Sequence, residues 1–292
     1  MRVRLVKWLL RLLAVLPLPV AHAFGSALGF MLAVLPNSVR QISAINLALC
    51  YPELDARVRA RLLRRSLMET GKTMLEMGAM WRWDTTRLMA KVRAVSGLEL
   101  ADAARRNGRG VIFISPHLGA WEMVGLYVSA CLPMTTLYRP PRLAALEELS
   151  RSARARHGAH LVATDAGGVR ALYQALRHNE VVGILPDQNP ELGSGVFAPF
   201  FGIPAYTMVL TARLARKTGA TLILAYAERL PRGAGYHLHF HEAPADFAST
   251  DPEQAAVMMN QLIEAAVRAH PEQYQWSYKR FRIRPEGAAG VY

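Results

Sequence analysis

The order of hydrophobic and polar positions divides the chain into an apolar N-terminal stretch and a longer mixed body. From Trp8 to Leu35 the sequence is apolar except for Arg11 and His22, and the preceding MRVRLVK carries four positive charges, the terminal amine included. A basic flank before an apolar stretch is typical of a membrane segment whose flank lies on the cytoplasmic side. We therefore predict a membrane-anchoring segment over residues 1–36 and one further domain over residues 37–292.

Two alternatives to a straight retained span follow from the same stretch. Ala21-His22-Ala23 fits the small-x-small cleavage site of a signal peptide. Arg11 interrupts the apolar run and hydrophobicity resumes at Phe24, which favours a retained segment. Pro17 and Pro19 break helical hydrogen bonding near its middle, so a kinked or shallowly inserted segment is the second alternative.

The next pattern is that of an amphipathic helix from Val58 to Trp81. Apolar residues recur there near helical spacing, while four arginines fall together on another face: Arg57, Arg61, Arg64 and Arg65. Such a helix either lies on an anionic membrane surface or packs on the protein with its arginine face in water.

Beyond this helix, short apolar runs alternate with helical stretches. The predicted strands are Val111 to Ser115, Thr135 to Tyr138, His160 to Ala163, Val181 to Leu185, Thr221 to Ala227 and Tyr236 to Phe240. The predicted helices are Trp121 to Ala130, Leu143 to Arg156, Gly168 to Arg177 and Thr207 to Lys217. This alternation predicts an α/β fold whose largely parallel central sheet is flanked by helices on both faces. Sites in such sheets form at the carboxyl ends of the strands.

Charge and cysteine content narrow the classes of partner. The formal net charge of +13 must attract nucleic acid, anionic lipid headgroups or an acidic protein, and composition does not choose among them. The hydrophobic fraction of 52% lies slightly above the range of soluble proteins, as expected for a globular body with an anchor. Cys50 and Cys131 lie in apolar settings without metal-type spacing, which indicates free thiols in a reducing compartment.

The candidate catalytic residues follow the strand Val111 to Ser115. His117 comes directly after it, and Glu122 lies in the first turn of the next predicted helix. A histidine that removes a proton from a hydroxyl benefits from a carboxylate that fixes its tautomer and stabilises the imidazolium. The spacing makes that contact feasible, so His117 is the candidate general base and Glu122 its orienting acid. Ser115 lacks the glycines of a nucleophile elbow.

A second group of imidazoles lies on one predicted strand. His237, His239 and His241 alternate and so share a face, which is compatible with a metal site. Glu242 points the opposite way, and imidazoles alone are an incomplete ligand set. We interpret this face as packed or solvated and expect no metal and no nucleotide or redox cofactor.

The surroundings of His117 carry a family resemblance. HLGAWE after a buried strand resembles the H-x4-D/E motif of the glycerolipid acyltransferase superfamily, and the rest of the chain resembles the late acyltransferases of lipid A biosynthesis, the lauroyl and myristoyl transferases. The matching segments are Tyr138-Arg139-Pro140, Arg154-Ala155-Arg156-His157-Gly158, Leu185-Pro186-Asp187-Gln188, Gly195-Val196-Phe197, Phe200-Phe201-Gly202, Glu272-Gln273-Tyr274-Gln275-Trp276, Lys279-Arg280-Phe281 and Arg284-Pro285-Glu286-Gly287.

This resemblance implies a glycerol-3-phosphate acyltransferase-like fold in an inner-membrane enzyme that acts on the cytoplasmic side. The donor would be an acyl chain on acyl carrier protein, and the acceptor a hydroxyl of a lipid A precursor of the Kdo-lipid IVA type. By positional match His117 is the general base, Glu122 orients it, Arg154 is the functional arginine and Asp187 the acid at a strand end. The loop Asp187 to Gly193 differs in detail from the family pattern, which leaves chain length and acceptor identity open.

The positive charge has specific targets on this interpretation. Phosphates and Kdo carboxylates suit guanidinium groups, so Arg139, Arg154 and Arg156 are candidate substrate-binding residues, together with Asp187. We expect an anionic membrane surface as a further partner and no nucleic acid. The alternatives are an acyltransferase for a lysophospholipid, amino-acid lipid or glycolipid, and a non-catalytic basic protein that binds membranes or nucleic acid.

Overall fold

Helices form the N-terminal part of the protein, in a computed structural model that describes residues 2–138, 144–155 and 158–292. They are α1 (Arg2–Val15), α2 (Leu18–Val34), α3 (Ser38–Cys50), α4 (Ala56–Arg82) and α5 (Thr85–Met89). Pro17 precedes α2 and Pro19 lies in its first turn, where a missing N–H costs nothing, so the two prolines separate α1 from α2. The side chain of Asp55 caps α4 by accepting hydrogen bonds from the backbone N–H groups of Arg57 and Val58.

Helix α2 packs against α4 with the two backbones in direct contact. A Cβ added at Gly29 would lie 2.1 Å from the carbonyl oxygen of Leu67, and one added at Gly71 would lie 2.0 Å from that of Gly25. The α1–α2 pair therefore buries one face on α4, including Leu18. Its other face is exposed and apolar, and it includes Trp8, Leu9, Leu12, Val15, Val20, Phe24, Phe30, Met31, Val34 and Leu35.

The predicted membrane anchor is not confirmed by these helices. Among the described residues, no single helix is both long and apolar enough to cross a membrane. Helices α2 and α3 together meet the length and composition required, but their axes are bent by 79° at the break between them. The division at residue 36 therefore stays a prediction. The amphipathic helix is confirmed as part of α4, and its four arginines are exposed.

The body of the chain alternates strands and helices. Its elements are β1 (Val92–Ser96), α6 (Glu99–Arg106), β2 (Val111–Ile114), α7 (Trp121–Cys131), β3 (Met134–Tyr138), α8 (Ala144–Ala155), β4 (Ala159–Ala163), α9 (Ala166–Arg177), β5 (Val181–Ile184), β6 (Gly195–Phe200), β7 (Ile203–Met208), α10 (Leu210–Thr218), β8 (Thr221–Arg229), β9 (Tyr236–Glu242) and α11 (Pro252–Ala269). Short 3-10 helices occupy Pro231–Gly233 and Pro271–Gln273.

Seven strands form one mostly parallel sheet, which confirms the predicted fold class. Their spatial order is β1-β9-β8-β2-β5-β3-β4, and β6 and β7 pair separately as an antiparallel hairpin. Strands β8, β2, β5, β3 and β4 run parallel, whereas β9 is antiparallel to β8. Every residue of β2 and β5 is buried because helices cover both faces of the sheet.

The two faces of the sheet belong to two hydrophobic clusters. Ile112 and Ile114 of β2 point into the cluster that includes residues of α9, α10 and α11. Val111 and Phe113 point the other way, into the cluster that includes residues of α4, α6 and α7. The central strands therefore have no solvated face, and β2 and β5 end among buried residues where the chain leaves the sheet.

The start of one predicted helix differs from the structure, and another helix falls within its predicted range. The helix expected from Thr207 begins instead at Leu210, because Thr207 pairs with Val196 in the β6–β7 hairpin. Helix α8 falls inside the predicted range, and the predicted ends, Leu143 and Arg156, lie outside the described residues.

Candidate active site

The carboxyl ends of β2 and β5 bring His117 and Asp187 together. Ile114 and Ile184 are register partners in these neighbouring parallel strands, so the third residues beyond them emerge at the same level. Asp187 Oδ2 accepts a hydrogen bond from the backbone N–H of His117 at 2.9 Å, and Oδ1 lies 2.8 Å from His117 Nδ1. Only 4% of the Asp187 side chain and 13% of the His117 side chain are exposed.

This pairing determines which nitrogen of His117 is free to react. Burial alone would raise the pKa of Asp187, but its electrostatic interaction with His117 and the hydrogen bonds from the ring and backbone N–H of His117 hold that pKa below its ordinary value. An ionised Asp187 accepts a hydrogen bond from Nδ1–H, which leaves Nε2 of the neutral ring as a hydrogen-bond acceptor. Gln188 Nε2 lies 3.2 Å from that atom and can donate to it. The geometry therefore prepares Nε2 to receive a proton.

The backbone around His117 is fixed by two neighbouring segments. Its carbonyl oxygen accepts a hydrogen bond from Gln275 N at 3.0 Å, and Gly119 N donates to the Gln273 carbonyl at 3.0 Å. Gly119 has a φ of +60°, and a Cβ there would lie 2.0 Å from the carbonyl oxygen of Ala227. Only glycine satisfies both conditions, so this residue allows the turn that presents His117.

Glu122 pairs with Arg154 rather than with the ring of His117. Arg154 Nε donates to Glu122 Oε2 at 3.1 Å, and Arg154 Nη2 donates to Glu122 Oε1 in a second, shorter bond. Burial alone would lower the pKa of Arg154, but the Glu122 carboxylate raises it above its ordinary value. The sequence led us to expect Glu122 to orient the ring of His117, and Asp187 makes that contact instead.

A cavity of about 500 Å³ extends from this site between α7 and the sheet. Its polar lining includes Ser115, His117, Glu122, Arg154 and Gln188. Its apolar lining includes Phe113, Val124, Leu126, Met134, Leu137 and Leu210. The hydroxyl of Ser115 is buried and has no hydrogen-bond partner among the residues that the structure describes. A cavity of this size with apolar walls and a few convergent polar groups is typical of a small-molecule site.

Known proteins are similar to this chain over nearly its whole length. The model of the bacterial lipid A biosynthesis acyltransferase family matches residues 2–283. The chain belongs to this family. It is 31% identical over 278 residues to the lipid A biosynthesis palmitoleoyltransferase of Escherichia coli (strain K12), covering 95% of this chain and 90% of that protein.

Two further relatives from the same strain carry different acyl names. The lipid A biosynthesis lauroyltransferase is 30% identical over 278 residues, with 95% of this chain and 90% of the relative covered. The lipid A biosynthesis myristoyltransferase is 26% identical over 268 residues, with 91% and 82% covered. The chain is therefore an acyltransferase of lipid A biosynthesis, and the predicted family is confirmed.

The structure places the predicted substrate-binding arginines differently from one another. Arg154 lies in the site, whereas Arg139 and Arg156 lie outside the described residues. Arg151 is exposed and forms an ion pair with Glu147 at 3.6 Å. Arg280 is buried and donates to the Tyr206 carbonyl oxygen at 2.6 Å, so it is held inside the protein. Sequence reasoning assigned no role to Gln188, although it follows Asp187 directly at the end of β5.

Proposed function

We propose that this acyltransferase moves a fatty acyl chain from the thioester of acyl carrier protein to a hydroxyl of a lipid A precursor, with His117 as the general base. The observation that carries the proposal is the position of His117. Its Nδ1 is held by the buried carboxylate of Asp187, and its ring lines a largely apolar cavity.

In this mechanism His117 Nε2 removes the proton of the acceptor hydroxyl as the oxygen attacks the thioester carbonyl carbon. The tetrahedral intermediate collapses with cleavage of the carbon–sulfur bond, and the imidazolium returns the proton to the departing thiolate. Asp187 stabilises the imidazolium in between. Gln188 must release Nε2 when the acceptor arrives, since one lone pair cannot accept from both donors.

Glu122 acts in this scheme through Arg154. The two-point contact fixes the guanidinium plane beside the cavity, and the carboxylate keeps it charged. A fixed arginine suits the phosphates of a lipid A precursor. Arg139 and Arg156, which flank the same part of the sequence, are proposed to bind further phosphates or Kdo carboxylates of a Kdo-lipid IVA-type acceptor.

The donor acyl chain is assigned to the cavity. Its apolar lining would bury methylene groups, each worth about 0.8 kcal/mol when removed from water. The relatives differ by name in acyl chain, which fits a common cavity whose depth varies. Acyl carrier protein is acidic, and the net charge of +13 favours its approach.

The exposed apolar face of α1 and α2 is assigned to the membrane, with the site on the cytoplasmic side of the inner membrane. Each of the ten large apolar residues of that face is exposed, and exposed apolar side chains concentrated on one pair of helices are typical of an interaction surface. The basic N-terminal flank and the exposed arginines of α4 carry the charge that attracts anionic lipid headgroups. Contact with one leaflet would bring a lipid acceptor to the site.

A single assay tests the reaction. Purified full-length protein is incubated with acyl carrier proteins loaded with acyl chains of several lengths, and with a Kdo-bearing lipid A precursor, the same precursor without Kdo, or a lysophospholipid. The products are weighed by mass spectrometry, and the His117→Ala variant is the control. We expect one added acyl group on a lipid A precursor. Transfer from acyl carrier protein to the lysophospholipid alone, or full activity in the variant, would contradict the proposal.

A further inference from the structure

A second cluster of chemically active side chains lies on the α11 face of the sheet, at the β8–β9 pair. Glu228 of β8 is the cross-strand partner of His237, and Tyr226 is the partner of His239. His239 Nε2 lies 3.0 Å from Glu228 Oε2, His237 Nδ1 lies 3.8 Å from it and His270 Nε2 lies 3.9 Å from it. Three imidazoles therefore surround one carboxylate oxygen.

Two of these three contacts are too long to be hydrogen bonds. His237 Nε2 instead lies 2.8 Å from Ser96 Oγ. In the tautomer that donates from Nε2 to this hydroxyl, His237 has a lone pair at Nδ1 that faces the carboxylate of Glu228. This is the form of the ring that binds a metal ion, and a cation between the lone pair and the carboxylate would remove their repulsion.

The spacing of the atoms suits such a cation. One ligand atom each from Glu228, His237 and His239 lies within 4.8 Å of the others. Two ligands of a tetrahedral zinc ion, with bonds of about 2.1 Å, are separated by roughly 3.4 Å, so small rotations of these side chains bring the atoms into coordination. Each of the four side chains is only 16–25% exposed, so its rotamers are restricted by neighbours.

We propose that Glu228, His237 and His239, with His270 as a fourth ligand, bind a divalent transition-metal ion such as Zn²⁺. Imidazole nitrogen and carboxylate oxygen are a ligand set that zinc, cobalt and nickel accept. Ser96 fixes the ring of His237, and the ring of Tyr226 stacks on that of His239 at 4.7 Å. These are the outer contacts that orient ligands in metal sites.

A metal ion at this site would hold the segment His270 to Gln273, which contacts the turn carrying His117, in place. His270 ends α11 and is followed by Gln273, whose side chain donates to the carbonyl oxygen of Arg229 at 3.0 Å and whose carbonyl oxygen accepts from Gly119. A metal ion shared by His270 and the β8–β9 pair would hold this segment to the sheet. Its role is therefore structural and does not depend on which acyl chain or acceptor the enzyme uses.

The test uses the full-length protein after removal of any affinity tag and treatment with a chelator. Zn²⁺ is titrated by calorimetry, and Co²⁺ is followed by its visible absorption. We expect one equivalent of metal per chain, and a rise in Tm with Zn²⁺. His239→Gln and Glu228→Gln should abolish stoichiometric binding, and Ser96→Ala should weaken it by about 10- to 100-fold.

His241→Gln is the matched control, because His241 lies on the same strand face but is exposed and outside the group of converging ligand atoms. It should bind metal as the wild type does. Circular dichroism of each variant establishes that it is folded. The proposal would be overturned if the wild type bound no stoichiometric metal. It would also be overturned if the folded His239→Gln and His241→Gln variants lost metal binding to the same extent.

Discussion

Asp187 holds His117 by two hydrogen bonds, one to the backbone N–H at 2.9 Å and one to Nδ1 at 2.8 Å. The first bond fixes the turn after β2, and the second fixes the tautomer of the ring. One buried carboxylate thus determines both the position of the proposed base and the nitrogen that reacts.

The first prediction tests this relationship with Asp187→Asn. The amide retains the size of the carboxylate but cannot neutralise an imidazolium, and it can stabilise the wrong tautomer by donating to Nδ1. Acyl transfer should fall by about 10²- to 10⁴-fold, as for loss of the base in His117→Ala. Turnover is measured with saturating acyl carrier protein donor and lipid A precursor.

A double variant tests whether Asp187 acts through His117. Residues that act as one unit have non-additive effects, so His117→Ala with Asp187→Asn should be little worse than His117→Ala alone. A double variant that loses the full product of the two single losses would show that Asp187 acts independently of His117.

The second prediction concerns the contact between Glu122 and Arg154. Arg154→Ala should remove about 1.5 to 3 kcal/mol of transition-state stabilisation, because it deletes a charge-assisted contact to substrate. Arg154→Lys should recover only part of it, since an ammonium cannot reproduce the two-point geometry. Glu122→Asp should retain more activity than Glu122→Gln because it retains the charge. The measurement is kcat/KM for each variant.

Arg151→Ala is the control for this series. Arg151 lies one turn before Arg154 on α8 but is exposed, and its ion pair with Glu147 is a surface contact. Its kinetics should resemble those of the wild type. Equal losses in the Arg151 and Arg154 variants would indicate a general effect of α8 charge on donor or acceptor approach.

The third prediction concerns the length of the transferred chain. Gly125 lines the cavity, and a Cβ added there meets no atom of the described part of the chain within 4 Å. Gly125→Leu should therefore fold normally while its side chain occupies the cavity. The products formed from a mixture of acyl carrier protein donors should shift toward shorter chains, with a smaller shift for Gly125→Ala. An unchanged product distribution in a folded Gly125→Leu enzyme would place the acyl chain elsewhere.

The sequence predicted the sheet better than it predicted the contacts within the site. The buried runs at Val111 and Val181 identify β2 and β5, because strands covered on both faces are continuously apolar. The order of strands in space is not encoded in such runs. Consequently the neighbour of His117 was sought five residues along the chain, at Glu122, whereas Asp187 reaches it from the adjacent strand, 70 residues away.

Other elements were missed because their patterns are ambiguous. β1 has exposed positions and little hydrophobic alternation. The β6–β7 hairpin contains Pro199 and Pro204 as cross-strand partners, which sequence rules read as breaks. The sequence analysis interpreted the histidines of β9 as a packed or solvated face, and it did not consider Glu228 and His270 with them because neither lies on that strand. Both become neighbours only through the β8–β9 pairing and the end of α11.

The fourth prediction concerns the membrane contact of α2. Phe24→Asp with Met31→Asp places two charges on its exposed apolar face, away from the contact with α4. Binding to vesicles containing anionic phospholipid should weaken, because the charges would have to be transferred into the headgroup and acyl boundary. Glu147→Lys, a surface change on α8, is the comparison. If both proteins sediment with vesicles as the wild type does, this face does not carry the membrane contact.

The fifth prediction concerns the buried ion pair that joins α4 to the sheet. Burial alone would raise the pKa of Glu76. The positive charge of Arg229 and the hydrogen bonds that Arg229 and His22 make to the carboxylate outweigh burial and lower the pKa from 4.5 to about 2. In the unfolded chain Glu76 binds its proton near pH 4.5, whereas in the folded protein it remains ionised to about pH 2. Its contribution to stability is therefore complete above pH 4.5 and is lost as the pH falls toward 2.

Glu76→Gln should reduce this part of the acid dependence and lower stability at neutral pH. Removing Glu76 as a partner leaves the side chain of Arg229, which is 1% exposed, with Glu69 as its remaining ion-pair partner among the described residues. The expected loss of stability at pH 7 is about 3 to 5 kcal/mol.

The melting temperature Tm is measured for wild type, Glu76→Gln and the surface control Glu147→Gln at pH values from 7 to 3. Wild type should lose more stability than Glu76→Gln between pH 4.5 and 3, so the two melting curves should converge as the pH falls. Parallel plots of Tm against pH for the two proteins would mean that Glu76 has the same pKa in the folded and unfolded states. The pair with Arg229 would then not lower the pKa of Glu76.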